Sequence, residues 1–278
     1  MGYFTYARGY QPAAFNTAAS LVLDESGNEV PFGRANKEDV DHFELGSKGT
    51  YFDRRISINA ALFFTTYKNF QVQIFDQTTG QLSPPLVLTN AGKAETKGVE
   101  VDVVAAATNN LRLNLNAAYV DAKFKDYVGA PCYNPNTTGG AVPGCSGSPA
   151  VQDLSGAVMP NSPKFKFVLG AEQRVPLGSS GEAVLGANFS WREKAQMLVD
   201  QNPYGIQPDI GILNLSAGWQ SDDKKLAVTL FCNNVLDKHY FTDLEDFWSA
   251  PWGGTNTIVG QPARDSYRYF GLKLKAGF

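Results

Sequence analysis

Through most of the chain, apolar and polar residues alternate with a period of two, a pattern that fits half-exposed β-strands and no helix. In "LRLNLNAAY" the side chains of Leu111, Leu113, Leu115, Ala117 and Tyr119 share one face, opposite Arg112, Asn114 and Asn116. In "KGVEVDVV" Val99, Val101 and Val103 oppose Glu100 and Asp102. "RISINAALF", "KFKFVLGA" and "YFGLKLKAGF" repeat the pattern. About ten strands result, near 2–9, 42–52, 55–68, 94–107, 111–124, 164–175, 182–195, 210–220, 225–234 and 266–278. Several exceed the roughly five or six residues usual in soluble sheets and suit the roughly 9–11 that cross a bilayer at a tilt.

The connections sort by parity. Short turns ("DR" near 53–54, "TNN" at 108–110, "PLGSSG" at 176–181, "SDDK" at 221–224) alternate with long segments at 10–41, 69–93, 125–163, 196–209 and 235–265. An up-and-down membrane barrel puts short turns on one rim and long loops on the other. A soluble sandwich has no such reason to sort its loops. Tyr3, Tyr51, Tyr67, Tyr119, Phe124, Trp191 and Trp219 fall near strand ends, where interfacial girdles place aromatics.

Composition narrows the classes. A net charge of −3 over 278 residues supplies no basic stripe for nucleic acid. No run of 18 apolar residues forms a membrane-crossing helix, a test to which barrel strands are blind because they alternate. Three cysteines make no scaffold or zinc pair. Cys132 and Cys145 flank a Gly- and Asn-rich loop segment and are candidates for a disulfide in an oxidising compartment. Cys232 reads as a small packing residue in a strand. No cofactor-binding pattern is present, and the Gly-rich stretches read as loops.

Five stretches then resemble, in order, the C-terminal part of the β-barrel of a TonB-dependent outer-membrane receptor. "YFTYARGYQPAAFN" is similar to the family's Y-x-x-Y-S-R-G-Y-K-x-G-G-F-N segment. "HFELGSKGTYFDRRISINAALFFTTYKNFQVQ" resembles its E-x-G-x-K hairpin and the strand ending in Y-x-D-x-Q. "NAGKAETKGVEVDV", "FCNNVLDKHYF" and "RDSYRYFGLKLKAGF" resemble the N-x-G-x-A-x-x-x-G-V-E-x-E, N-L-x-D-x-x-Y and terminal R-x-x-G-x-x-x-x-x-x-F elements. Gln11, Ala13 and Ala14 stand where the family has a lysine and two glycines.

The resemblance implies an all-β fold: residues 1–278 as an antiparallel, up-and-down transmembrane segment of about ten strands from a larger, 22-stranded type of plugged barrel. No plug, TonB box or signal peptide is recognised, so the chain is expected to be a fragment that forms an open, curved sheet. The implied setting is the bacterial outer membrane, with lipid against one face. The implied function is uptake of a scarce solute such as a ferric siderophore, driven by the TonB complex through the missing plug. No catalysis is implied.

Two further features follow. Phe270, Leu272 and Leu274, with the terminal Phe278, resemble the C-terminal strand signal that the barrel-assembly machinery is thought to read. The loop 240–262 carries Tyr240, Phe241, Phe247, Trp248 and Trp252 among the acids Asp243, Glu245 and Asp246, and is a candidate for substrate contact. A self-packed loop cap or rim girdle is the alternative. The rival class is a complete ten-stranded outer-membrane protease, with Asp41-His42 and Asp237/His239 activating water at the rim. The alternation also sets the faces. Val99, Val101, Leu113, Leu115, Leu272 and Leu274 should meet lipid, and Glu100, Asp102, Asn114 and Lys273 the lumen.

Overall fold

The computed structural model describes residues 1–16, 21–23, 29–31, 35–75, 86–133, 141–147, 150–247 and 257–277. Ten long strands form one antiparallel sheet: β1 (Gly2–Gln11), β2 (Glu38–Tyr51), β3 (Ile56–Lys68), β4 (Lys93–Ala106), β5 (Leu111–Asp126), β6 (Phe165–Pro176), β7 (Glu182–Arg192), β8 (Ile210–Gln220), β9 (Leu226–Asn233) and β10 (Tyr269–Ala276). Every strand pairs with its sequence neighbours, as an up-and-down meander requires. β1 and β10 lie at the two edges, each paired on one side only among the described residues, so the sheet is open.

The registers keep the two faces separate across all ten strands. Val103 pairs with Leu115, and Leu115 with Leu169, while Asp102 pairs with Asn116, and Asn116 with Val168. Leu62, Val99 and Tyr119 are likewise consecutive cross-strand partners. The apolar row continues through Leu215, Leu230 and Leu272, all exposed. A sheet with so much exposed apolar surface on one face is made for lipid. The expected faces therefore hold: Val99, Leu113 and Leu272 lie on the apolar side, Glu100, Asn114 and Lys273 on the other.

Aromatics divide by face as well as by height. Tyr6, Phe43, Phe64, Tyr119, Phe165 and Trp191 lie on the apolar face toward the long-loop rim; Tyr51 and Trp219 lie toward the short-turn rim. These are the interfacial girdles. Tyr3, Tyr67 and Phe124, expected in the girdle, instead point to the polar side. The Tyr3 ring lies over Gly46, as Phe63 lies over Gly98 and Phe231 over Gly271. Each glycine leaves room for a ring from the neighbouring strand, which covers the bare backbone beneath it.

Tyr67 and Phe124 have another use. Phe124 is fully buried in a cluster with Val72, Ala91, Ala94, Tyr127, Ala130 and Leu154, and Tyr67 and Phe70 pack against it. The cluster joins the barrel wall to the long segments after β3 and β5. These segments form small sheets of their own, Gln71–Phe75 with Leu86–Asn90, and Val128–Pro131 with Ala150–Asp153 and Ser146–Gly147. The segment after β9 pairs Phe241–Phe247 with Thr257–Pro262. The long loops thus contain folded hairpins rather than irregular chain alone, a feature the loop composition did not disclose. They also interlock: the Gln71 backbone N–H donates to the buried Glu38 carboxylate at 2.7 Å, and the Gln152 side chain donates to the Asp200 carbonyl at 2.8 Å.

Candidate functional site

The polar face carries a cleft of about 530 Å³ toward the long-loop rim. β4 contributes Glu100 and Asp102, β6 contributes Lys166, and β7 contributes Arg192, with Ile210 and Ile212 of β8 beside it. Lys166 and Arg192 are direct cross-strand partners, so two cations stand side by side. Like charges placed opposite each other cost free energy unless acids or an anionic guest offset them. The acids of β4 share the cleft, reached across β5 through the Glu100–Ala118–Lys166 row.

Tyr240 closes one side from the loop after β9. Its ring lies against the Arg192 guanidinium, 5.5 Å from cation to centroid, and its hydroxyl donates to Asp265 Oδ1 at 2.6 Å. Burial first, then the hydrogen bond and negative charge of Asp265, push the Tyr240 phenol up to about 12, against the opposing pull of Arg192. The phenol is therefore a neutral donor at physiological pH. Arg192 Nη2 is buried with no hydrogen-bond partner among the described residues. A buried guanidinium N–H of this kind is costly alone and is available to an incoming acceptor.

The aromatic loop expected to contact substrate is only partly placed here. Tyr240 lines the cleft. Phe241 sits over Gly260, and its backbone N–H donates to Gln207 Oε1 at 2.9 Å, so it belongs to the packing of the loop hairpin. Phe247 ends a strand, and Trp248 and Trp252 lie outside the described residues, as does Phe278. Arg192 and Lys166 were not singled out by sequence. The signal was present: both fall on the polar phase of strands near the long-loop end.

The rim Asp/His pairs do not assemble a protease site. Asp41 and His42 are neighbours on β2 and therefore point to opposite faces. Asp41 accepts from Tyr6 on the lipid side at 2.9 Å, while His42 Nδ1 meets Thr65 Oγ1 at 2.8 Å on the polar side. Asp237 accepts from the Arg268 backbone N–H at 3.0 Å, and His239 packs on the Tyr267 ring at 4.9 Å. β2 and β9, which lead to these pairs, lie toward opposite ends of the sheet.

Cys132 and Cys145 form a disulfide with Cα atoms 6.2 Å apart, joining residues 13 apart within the long segment after β5. Cys232 is a free thiol on the lipid-facing row, opposite Phe270 and Leu215. Phe270, Leu272 and Leu274 form an exposed apolar row on the edge strand β10.

An open antiparallel meander with a lipid-facing apolar side, two aromatic girdles and a polar inner cleft is a section of an outer-membrane β-barrel. Comparison with known proteins gives the family. Residues 1–235 match the model of the TonB dependent receptor-like β-barrel, and the chain belongs to that family. It is 24% identical over 226 residues to the ferripyoverdine receptor of Pseudomonas aeruginosa, covering 78% of this chain and 24% of the receptor. It is 23% identical over 243 residues to the probable TonB-dependent siderophore receptor PiuA of Acinetobacter baumannii, covering 86% and 28%. The chain thus spans about a quarter of the length of these curated relatives. Among solved structures it resembles the ferric yersiniabactin uptake receptor FyuA of Yersinia pestis (TM-score 0.67, 18% identity, 100% of this chain and 35% of that one). It is equally similar in fold to the copper transporter OprC (TM-score 0.67, 14% identity, 100% and 37%). Those likenesses establish the fold, and the family places the protein in the bacterial outer membrane.

Proposed function

We propose that this chain forms ten strands of the wall of a larger plugged barrel, its C-terminal portion, in a receptor for TonB-dependent uptake of a ferric siderophore. The open sheet supports this reading, because its two unpaired edges are templates that further strands of a cylinder would satisfy. The similarity of the sequence to siderophore receptors supports it too. The TonB complex would act through a plug domain, and the sheet would supply the lumen wall and the extracellular loops.

One observation carries the substrate class. Lys166 and Arg192 stand side by side at the cleft, with the Tyr240 ring against the Arg192 guanidinium and Arg192 Nη2 buried without a hydrogen-bond partner among the described residues. Glu100 and Asp102 balance the formal charge of the cleft, so the preference for a chelated metal rests on the buried, unpartnered Arg192 N–H, which an anionic chelator satisfies and a bare cation does not. The test is uptake of radiolabelled iron by cells carrying the receptor, with a panel of siderophores, comparing wild type with Lys166→Ala/Arg192→Ala. Loss of about tenfold or more in affinity for the preferred siderophore, with surface abundance unchanged, is the expected result. Unchanged affinity for every siderophore defeats the assignment.

A further inference from the structure

We propose that the lumen-facing cleft selects ferric chelates that carry a cationic group, an amine or a guanidinium. Glu100 and Asp102 receive that cation while Lys166 and Arg192 hold the anionic end. This inference rests on the siderophore reading above and names the feature by which one chelate is chosen over another. Glu100 and Asp102 are two residues apart on β4 and share the polar phase. Lys166 and Arg192, cross-strand partners on β6 and β7, face them across β5. Between them lies Ala118, the common partner of Glu100 and Lys166, too short to bridge the two charges.

The charges are segregated rather than paired. None of the four makes an ion pair among the described residues. Elsewhere on the same face the chain does pair them: near the short-turn rim Arg174 holds Glu172 at 2.8 Å and Glu182 at 2.6 Å. The direct cross-strand partners of the two acids are Ala61, Ala118, Asn59 and Asn116, none of them charged. Lys48 shares the row of Asp102 through Asn59, but its Nζ lies over the Tyr3 ring, 5.2 Å from the centroid. Lys164 and Lys194, two residues rimward of Lys166 and Arg192, add to the basic side alone. Asp265, the acid behind Tyr240, is engaged by the Tyr240 hydroxyl at 2.6 Å. Two strand spacings separate Glu100 from Lys166, so the acidic and basic walls are about 10 Å apart at the backbone.

A wall divided in this way favours a guest divided likewise, with its anionic iron-binding groups at one end and a cation about 10 Å away. The buried Arg192 Nη2, without a partner among the described residues, and the Tyr240 ring against the guanidinium fix the anionic end. A chelate that is anionic throughout meets repulsion from Glu100 and Asp102, and a bare metal cation meets it from Lys166 and Arg192. A chelate with both charges meets neither.

The test measures binding to the whole receptor in detergent, by quenching of tryptophan fluorescence, with a matched set of synthetic ferric tris-catecholates. One carries a pendant primary amine about 10 Å from the iron-binding groups, a second has that amine acetylated, and a third has a carboxylate in its place. Wild type is expected to bind the amine chelate about fivefold or more tightly than the acetylated one, and the carboxylate most weakly. Glu100→Gln/Asp102→Asn should bring the amine chelate down to the affinity of the acetylated one, and Glu100→Lys/Asp102→Lys should favour the carboxylate. Glu95→Gln, which removes an acid from the outer face, should keep the wild-type order. Heat-modifiable gel mobility checks that each variant is folded. Equal binding of the amine and acetylated chelates by wild type overturns this inference and leaves the siderophore reading standing, whereas failure to bind any of the set overturns both. An acid-to-amide variant that weakens the whole set alike also overturns it, since Glu100 and Asp102 would then serve the plug or the fold.

Discussion

An arginine placed at Leu115 tests the assignment of faces where it costs most. On β5 the outward row runs Leu111, Leu113, Leu115, Ala117 and Tyr119, with Tyr119 in the upper girdle. Leu115 is four residues below Tyr119, or about 13–14 Å along a strand rising about 3.4 Å per residue. At the tilt of about 35–45° usual for such strands, this places it about 10 Å below the girdle, near the middle of an apolar band about 25 Å tall. Leu115→Arg is therefore expected to cost about 2–4 kcal/mol, roughly 30- to 1000-fold in the folding equilibrium, and Tyr119→Arg about 0–1 kcal/mol. Asn116→Arg, at nearly the same depth but beside Asp102 on the lumen face, should cost far less than Leu115→Arg. The assay is reversible urea unfolding of the receptor in lipid vesicles. Equal costs for the Leu115 and Asn116 variants would falsify the face assignment, because a one-residue slip exchanges every side chain between lipid and lumen.

Gly98→Ala should destabilise by about 1–3 kcal/mol in the same unfolding assay, because the added carbon meets both the Tyr119 carbonyl and the Phe63 ring. Cys132→Ser/Cys145→Ser opens a link between residues 13 apart, and the segment after β5 should become sensitive to protease at concentrations that leave the oxidised protein intact. Tyr240 should ionise late. Its folded pKa lies above the ordinary value of 10, so its contribution to stability is complete below pH 10 and disappears as pH rises through about 12. A difference titration at 295 nm between wild type and Tyr240→Phe should show the missing phenol near 12, and a missing phenol near 10 would contradict the burial argument. Phe278→Ala in the receptor should leave folding in detergent nearly unchanged and sharply lower insertion in cells if the terminal aromatic is an assembly signal; equal small losses would leave only an interfacial anchor.

The ten strands were legible because their signal is repeated and redundant. Each strand of the sheet alternates over eight or more residues, and an error of four residues at an end, as at β2, leaves the phase unchanged. β2 begins at Glu38 rather than near residue 42 because the buried Glu38 carboxylate is tied to the segment after β3, a long-range partner that no local pattern contains. The hairpins inside the long segments escaped for the same reason. Gln71–Phe75 is five residues of alternating polar and apolar chain, too short to stand apart from its surroundings until Leu86–Asn90 pairs with it.

The misassigned aromatics show what a strand sequence holds when its two coordinates are read together. Position along the strand gives depth, and phase gives the face; a girdle residue must satisfy both. Tyr119 does, since it shares its phase with Leu115 and Leu113. Phe124 has the rim depth but the opposite phase, five residues and therefore an odd step from Tyr119, and it is buried under the loops instead. Tyr67 differs from Leu62 by the same odd step and packs in the same cluster. Lys166 and Arg192 obey the same rule from the other side. They share the rim depth and the polar phase, which turns them toward the cleft rather than toward lipid headgroups. Lys68 has the rim depth with the apolar phase of Leu62 and Phe64, and it faces outward. A lysine's place in this wall, lumen or membrane surface, is therefore decided by whether its number is an even or an odd step from the nearest lipid-facing leucine.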